Sequence, residues 1–143
     1  MLPHYSTGDP RHPEYKWKKI VPQHWADLDT HRIRRLDLLA ARLHNALGAK
    51  WDVRREEGSY SIEARDSRRI VGKLVAWKAN ELIIGFCAED AGAYEAAGEL
   101  SPKVLGCWME QPENRFYCAA VPDEGQEDEI LLAVHDHVHD FVG

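Results

Sequence analysis

Two runs of the chain, Ile70–Trp77 and Leu82–Ala88, are apolar on both faces when read as β-strands. A half-solvated strand alternates apolar and polar residues, so a strand that does not alternate must lie centrally in a sheet or beneath a cover. The rest of the fold has to meet that demand. Polar turns, Asp66-Ser67-Arg68-Arg69 and Lys78-Ala79-Asn80-Glu81, precede the two runs.

Two further strands lie upstream. Trp51–Glu56 and Ser59–Arg65 flank Glu57-Gly58, a pair suited to a two-residue hairpin turn. That turn predicts Val53 opposite Ile62 and Trp51 opposite Ala64 on an apolar face, with Asp52 opposite Glu63 and Arg54 opposite Ser61 on a wet one. Directly opposed carboxylates are mildly unfavourable, which weighs against this register. A second hairpin is expected downstream, Val104–Glu110 with Arg115–Val121 around Gln111-Pro112-Glu113-Asn114. Its centre sets Cys107 opposite Cys118, Trp108 opposite Tyr117 and Glu110 opposite Arg115.

Helix signals separate these runs. Ile33, Leu36, Ala40, Leu43 and Leu47 recur at spacings of three and four, with Asp29 or Thr30 as cap and Gly48 as stop, predicting a helix near 30–47. A weaker helix, containing Gly92 and Gly98, is expected from Ala91 to about Leu100 under an Asp90 cap. An acidic loop, Asp123 to Asp128, opens a last helix with Ile130, Leu131, Val134, Val138 and Phe141 on its buried stripe. The fold class that follows is α+β: an antiparallel sheet, made of a four-strand meander plus a hairpin, with three helices in the order α-ββββ-α-ββ-α. Residues 1–24 hold Pro3, Pro10, Pro13 and Pro22 and read as an extended arm, in which Tyr15–Val21 can form a short edge strand. Residues 25–143 read as one α+β domain. The order contains no βαβ unit and no Gly-rich phosphate loop, which argues against doubly wound and P-loop nucleotide folds.

No apolar run approaches the roughly 20 residues that span a bilayer, and the first residues lack the layout of a signal peptide. A cytoplasmic protein without a membrane segment is expected. Cys87, Cys107 and Cys118 each sit in apolar stretches and read as reduced core residues. The net charge is −6, and it is unevenly placed. Residues 1–50 are basic, and the final stretch from Val121 onward has no Lys or Arg. Acidity disfavours general nucleic-acid binding. Tyr15-Lys16-Trp17-Lys18-Lys19 with Arg32, Arg34 and Arg35 forms a local basic patch that leaves such contact as one alternative.

No catalytic signature stands out. Two constellations do carry recognition chemistry. The first is the set of histidines: His4, His12, His24, His31 and His44 lie near one end, and His135, His137 and His139 near the other. On a helix His135 and His139 share a face, with Asp136 and Asp140 beside them, a spacing suited to a divalent metal. His31 or His44 is a candidate third ligand if the first and last helices pack together. Polar side chains complementing the helix C-terminus explain the same pattern without metal, so no cofactor is the first expectation and a divalent metal the alternative. The second constellation is aromatic. Trp77, Trp108 and Tyr117 on the strands, with Tyr15 and Trp17 on the arm, suit a partner-binding surface. Acidic charge around such a surface favours a protein partner with a basic surface. A homodimer is compatible with the same features. The element order resembles the layout of type III secretion chaperones, a likeness of layout alone that carries over no residues. The leading expectation is a small acidic protein-binding module acting stoichiometrically, of the inhibitor, immunity or anti-defence type. A metal-binding protein or metal-dependent hydrolase built on the last helix is the rival reading, followed by a secretion-chaperone-like role.

Overall fold

The computed structural model describes residues 6–78, 80–122 and 124–142, and gives residues 140–142 as backbone only. Its architecture is α+β, with three helices and one seven-stranded mixed sheet, mostly antiparallel. In chain order the elements are β1 (Lys18–Lys19), a 3-10 turn at Trp25–Asp27, α1 (Thr30–Leu47), β2 (Trp51–Glu56), β3 (Ser59–Ala64), β4 (Ile70–Ala76), β5 (Glu81–Cys87), α2 (Ala93–Leu100), β6 (Leu105–Trp108), β7 (Arg115–Pro122) and α3 (Glu127–Val142). The sheet order is β1-β6-β7-β5-β4-β3-β2. The expected meander is present as β2 to β5, and the expected hairpin as β6 and β7. The strand count and order need correction. β7 pairs with β5, so meander and hairpin fuse into one sheet; the short edge strand expected within Tyr15–Val21 is present as β1, parallel to β6, and brings the strands to seven.

Local chemistry explains α1. The Asp29 carboxylate accepts from the Arg32 backbone N–H at 2.8 Å, satisfying a first-turn donor. Gly48 ends the helix at φ 86, a conformation open to glycine. Leu36, Leu39, Ala40, Leu43 and Leu47 are buried along one stripe. Arg32 is buried as well, and its guanidinium donates to the carbonyls of Lys78 at 3.0 Å and Glu81 at 2.8 Å. It thereby fastens the start of α1 to the turn between β4 and β5. α2 begins at Ala93, two residues later than expected, because the Asp90 carboxylate is engaged by Arg69 and does not cap the helix.

The central strands bury both faces. Leu74, Leu82, Ile84, Ala119 and Val121 meet the helices on one side. Val75, Ile83, Cys107, Met109, Phe116 and Cys118 form a second cluster on the other. A single segment of the arm helps close this second face. Ile20, 1% exposed, packs into the cluster, and its N–H donates to the Trp108 carbonyl at 2.9 Å. The chain then reaches the turn between β2 and β3, where the Trp25 indole N–H donates to the Glu56 carbonyl at 2.6 Å and His24 Nδ1 lies 3.0 Å from Glu57 Oε1. From there it wraps onto the helix side, where Trp25 packs edge-on to Tyr60.

The first hairpin has the expected register, including Asp52 opposite Glu63. Arg68 offsets the like charges: its guanidinium lies 3.2 Å from Asp52 and 3.6 Å from Glu63, while Arg65 holds Asp52 at 2.5 Å. The second hairpin differs from expectation. Cys107 pairs with Phe116, Trp108 with Arg115, and Leu105 with Cys118. Glu110 takes a left-handed conformation, φ 64, and the turn closes through Asn114 N–H to Gln111 O. Because the shift is by two residues, every side chain keeps its expected face.

Gly58 couples the arm to the sheet. It sits at φ 74, and a Cβ there would lie 1.9 Å from the Gln23 carbonyl oxygen. Gly58→Ala therefore forces both backbone strain and displacement of the arm. Urea unfolding is expected to show a loss of about 2–4 kcal/mol; a midpoint like that of the unsubstituted protein would mean that residues 22–24 are not held against this turn.

Candidate functional site

Where the apolar residues of the second face give out, on β2, β3 and β4, a charged network is buried. Lys73 is 4% exposed, Ser61 0% and Glu63 5%. The Lys73 ammonium donates to Ser61 Oγ at 2.7 Å and to Glu56 Oε1 at 3.2 Å, and the Ser61 hydroxyl also donates to Glu56. Glu63 is met by Arg54 at 4.0 Å and by Arg68. A serine beside a lysine is one arrangement used for nucleophilic attack. Here the ammonium is ion-paired with Glu56 and the hydroxyl has no exposed surface for a substrate to approach. The network works as a structural joint that makes a polar strip of sheet buriable.

Two accessible hollows lie around the turn between β6 and β7. One, of about 580 Å³, is lined by Trp17, Ala88, Glu89, Pro112, Glu113, Arg115 and Tyr117. A second, of about 400 Å³, shares Glu89, Glu113 and Arg115 and continues onto the opposite face, where Met109, Phe116, Lys73 and Cys87 contribute. Together they flank the start of β7 on both sides of the sheet.

The structure brings two of the five expected aromatic residues, Trp17 and Tyr117, to the first hollow, with Tyr15 next to them. Trp17 lies against Tyr117 with ring centroids 5.6 Å apart, and Tyr15 meets Trp17 edge-on at 5.6 Å. Tyr94 of α2, not anticipated from the sequence, packs against the far side of Tyr117 at 5.4 Å. Gly106 permits this stack: a Cβ there would lie 2.7 Å from the Tyr15 ring and 2.9 Å from Trp17, and its N–H donates to the Tyr15 hydroxyl at 3.0 Å. The Arg115 guanidinium sits 5.1 Å from the Trp17 ring centroid, and Arg11 is 3.9 Å over Tyr94. Burial raises the hydroxyl pKa of both Tyr117 and Tyr94, keeping them as neutral donors. Trp108 lies one pair further along this face, under Lys19 at 5.3 Å. Trp77 stands apart, packed against the cluster on the opposite face.

Charge around the hollows is unequally neutralised. Arg69 is paired with Asp90, and Arg68 with Asp52 and Glu63. Among the described residues Glu89, Glu110 and Glu113 are exposed and carry no ion-pair partner. The rim is thus acidic even though arginines line it. The basic patch read from the sequence is dispersed: Arg32 is buried on the β4–β5 turn, and Arg35 binds Glu124 at 2.7 Å.

On α3, the Nε2 atoms of His135 and His139 lie 2.7 Å apart, and Asp136 Oδ1 lies 3.4 Å from His135 Nδ1. The Asp140 side chain and His4 fall outside the described residues. His31 is 3.4 Å from Glu124 at the other end of α3, and among the described residues no three candidate donors converge. The three cysteines are free thiols; burial raises the Cys118 pKa and keeps it protonated. Among the described residues no helix is long and apolar enough to cross a membrane. No known family model, curated protein or solved structure matches the chain.

The buried network predicts a non-additive pair. Lys73→Met strands Ser61 and Glu56 and is expected to cost about 1–3 kcal/mol in chemical unfolding. In Lys73→Met/Glu56→Gln the added second substitution is expected to cost less than Glu56→Gln does alone. Strict additivity would show that the three groups do not act as a unit.

Proposed function

We propose that this protein is a small acidic binding module that acts stoichiometrically, of the inhibitor, immunity or anti-defence type, covering a protein partner at the β6–β7 end of the sheet. The observation that carries this reading is the stack of Trp17 on Tyr117 beside a hollow whose rim bears the unpaired carboxylates of Glu89 and Glu113. Half-buried Trp and Tyr side chains present large, rigid, amphipathic area at low entropic cost, and they dominate measured binding hot spots. Carboxylates not neutralised from within attract a basic partner and speed its encounter. The rings are held from behind by Tyr94 and by the close approach at Gly106. Their surface is therefore preorganised, which lowers the ordering cost of association.

The test uses the full chain as bait, the captured partner identified by mass spectrometry, and the affinity of the purified pair. Trp17→Ala and Tyr117→Ala are each expected to weaken binding tenfold or more, matching the roughly 2 kcal/mol of a hot-spot residue. Glu89→Lys/Glu113→Lys is expected to slow association and flatten its salt dependence. Leu132→Ala, on the exposed side of α3 and away from both hollows, serves as control. Binding that is undiminished in the aromatic variants, or lost equally in Leu132→Ala, overturns the assignment of this surface.

A further inference from the structure

We propose that His135 and His139, near the C-terminal end of α3, form a two-imidazole site for a divalent transition metal of the zinc, nickel or copper kind. The residues are one helical turn apart, and both rings reach solvent. Surface histidines ordinarily fan outward into water. These two converge instead, with their Nε2 atoms 2.7 Å apart, ring centroids 3.9 Å apart and ring planes at 85°. Without metal, one Nε2–H donates to the other Nε2. An ion takes the place of that proton, which moves to Nδ1 of the donating ring, and both lone pairs then face the metal.

Three features favour the loaded state. Asp136 Oδ1, 3.4 Å from His135 Nδ1, accepts the proton at that nitrogen and so leaves His135 Nε2 as the free lone pair. A carboxylate behind a ligating imidazole orients it and raises its basicity. The site also stands in the last turns of α3, where the helix dipole favours a cation. The nitrogen spacing is near what the metal requires: a tetrahedral ion at about 2.0–2.1 Å from each nitrogen needs them roughly 3.3 Å apart, and the rings, with centroids 3.9 Å apart, also have to swing apart so that both lone pairs point at the ion. Imidazole donors select zinc, nickel and copper over magnesium and calcium, which prefer oxygen. Two protein ligands leave coordination positions for water or for a donor from another molecule. The site is separate from the aromatic hollow and does not depend on it.

Zn²⁺ alone, titrated into protein without a histidine tag and followed by calorimetry and by competition with a chromophoric chelator, decides the matter. One saturable site is expected, with no response to Mg²⁺. His135→Ala and His139→Ala, both benign on an exposed helix face, are each expected to weaken Zn²⁺ binding at least tenfold, and Asp136→Asn by less. His31→Ala, an exposed histidine elsewhere, is expected to leave it unchanged. Zn²⁺ is also expected to raise the melting temperature of the unsubstituted protein but not of the two alanine variants. No saturable Zn²⁺ binding, or binding that survives His135→Ala/His139→Ala, overturns the proposal.

Discussion

Val75 and Ile83 point to one side of the sheet, Leu74 and Ile84 to the other, and none of the four exceeds 1% exposure. Burying one such side chain contributes about 1.5–3 kcal/mol, so leaving either face of β4 and β5 in water forfeits several times that. Two covers are therefore needed. Three helices supply one. The other has no helix to draw on, because β6 and β7 extend the same sheet and do not fold back across it. The arm helps close it. Ile20 enters the second cluster, and the chain has to travel on to the β2–β3 turn before α1 can begin on the opposite side. The position of the arm, the wrap at Trp25 and the tether from Arg32 to the β4–β5 turn are consequences of strands that are apolar on both faces.

The same geometry sorts the charges. Toward β2 and β3 the second face is polar, and burial there requires each ion to have a partner, as Lys73, Glu56, Glu63 and Arg68 do. Toward the β6–β7 turn the face opens, and the glutamates at its rim are left without partners. One end of the sheet is thus a closed electrostatic joint. The other carries uncompensated charge beside rigid aromatic rings, the surface proposed above for a partner.

What the sequence made legible was what neighbouring residues decide. Asp29, the spacing of leucines and Gly48 define α1 to the residue. Glu57-Gly58 sets the first hairpin's register, and the doubt raised by Asp52 opposite Glu63 vanishes only when Arg68, from the next turn, arrives beside both. The second hairpin departs by two residues from its local signals because Glu110 adopts a left-handed conformation that no glycine or asparagine announces. α2 starts later than its local signals say because Arg69, from the turn before β4, takes the carboxylate that local rules assign to the cap. Nothing local marks the pairing of β5 with β7 across α2. The candidate site divides along the same line. His135 and His139 are visible from spacing alone. The meeting of Trp17, Tyr117 and Tyr94 is only half visible: the aromatic types mark Trp17 and Tyr117, but their contact depends on where the arm docks, and Gly106 is small enough to admit the two arm rings.

The parallel pairing of Lys18 and Lys19 with Cys107 and Trp108 also sets an order of events. A ribosome releases these lysines early and their docking edge late. At roughly 5–20 residues per second, several seconds separate the two. Through that interval the arm, with its proline-rich start and its aromatic side chains, has no native surface to rest on. Contacts so distant along the chain form late in folding as well. The arm, made well before its docking edge, is thus late to settle, and whatever meets the nascent chain in the meantime finds Trp17 and Ile20 uncovered.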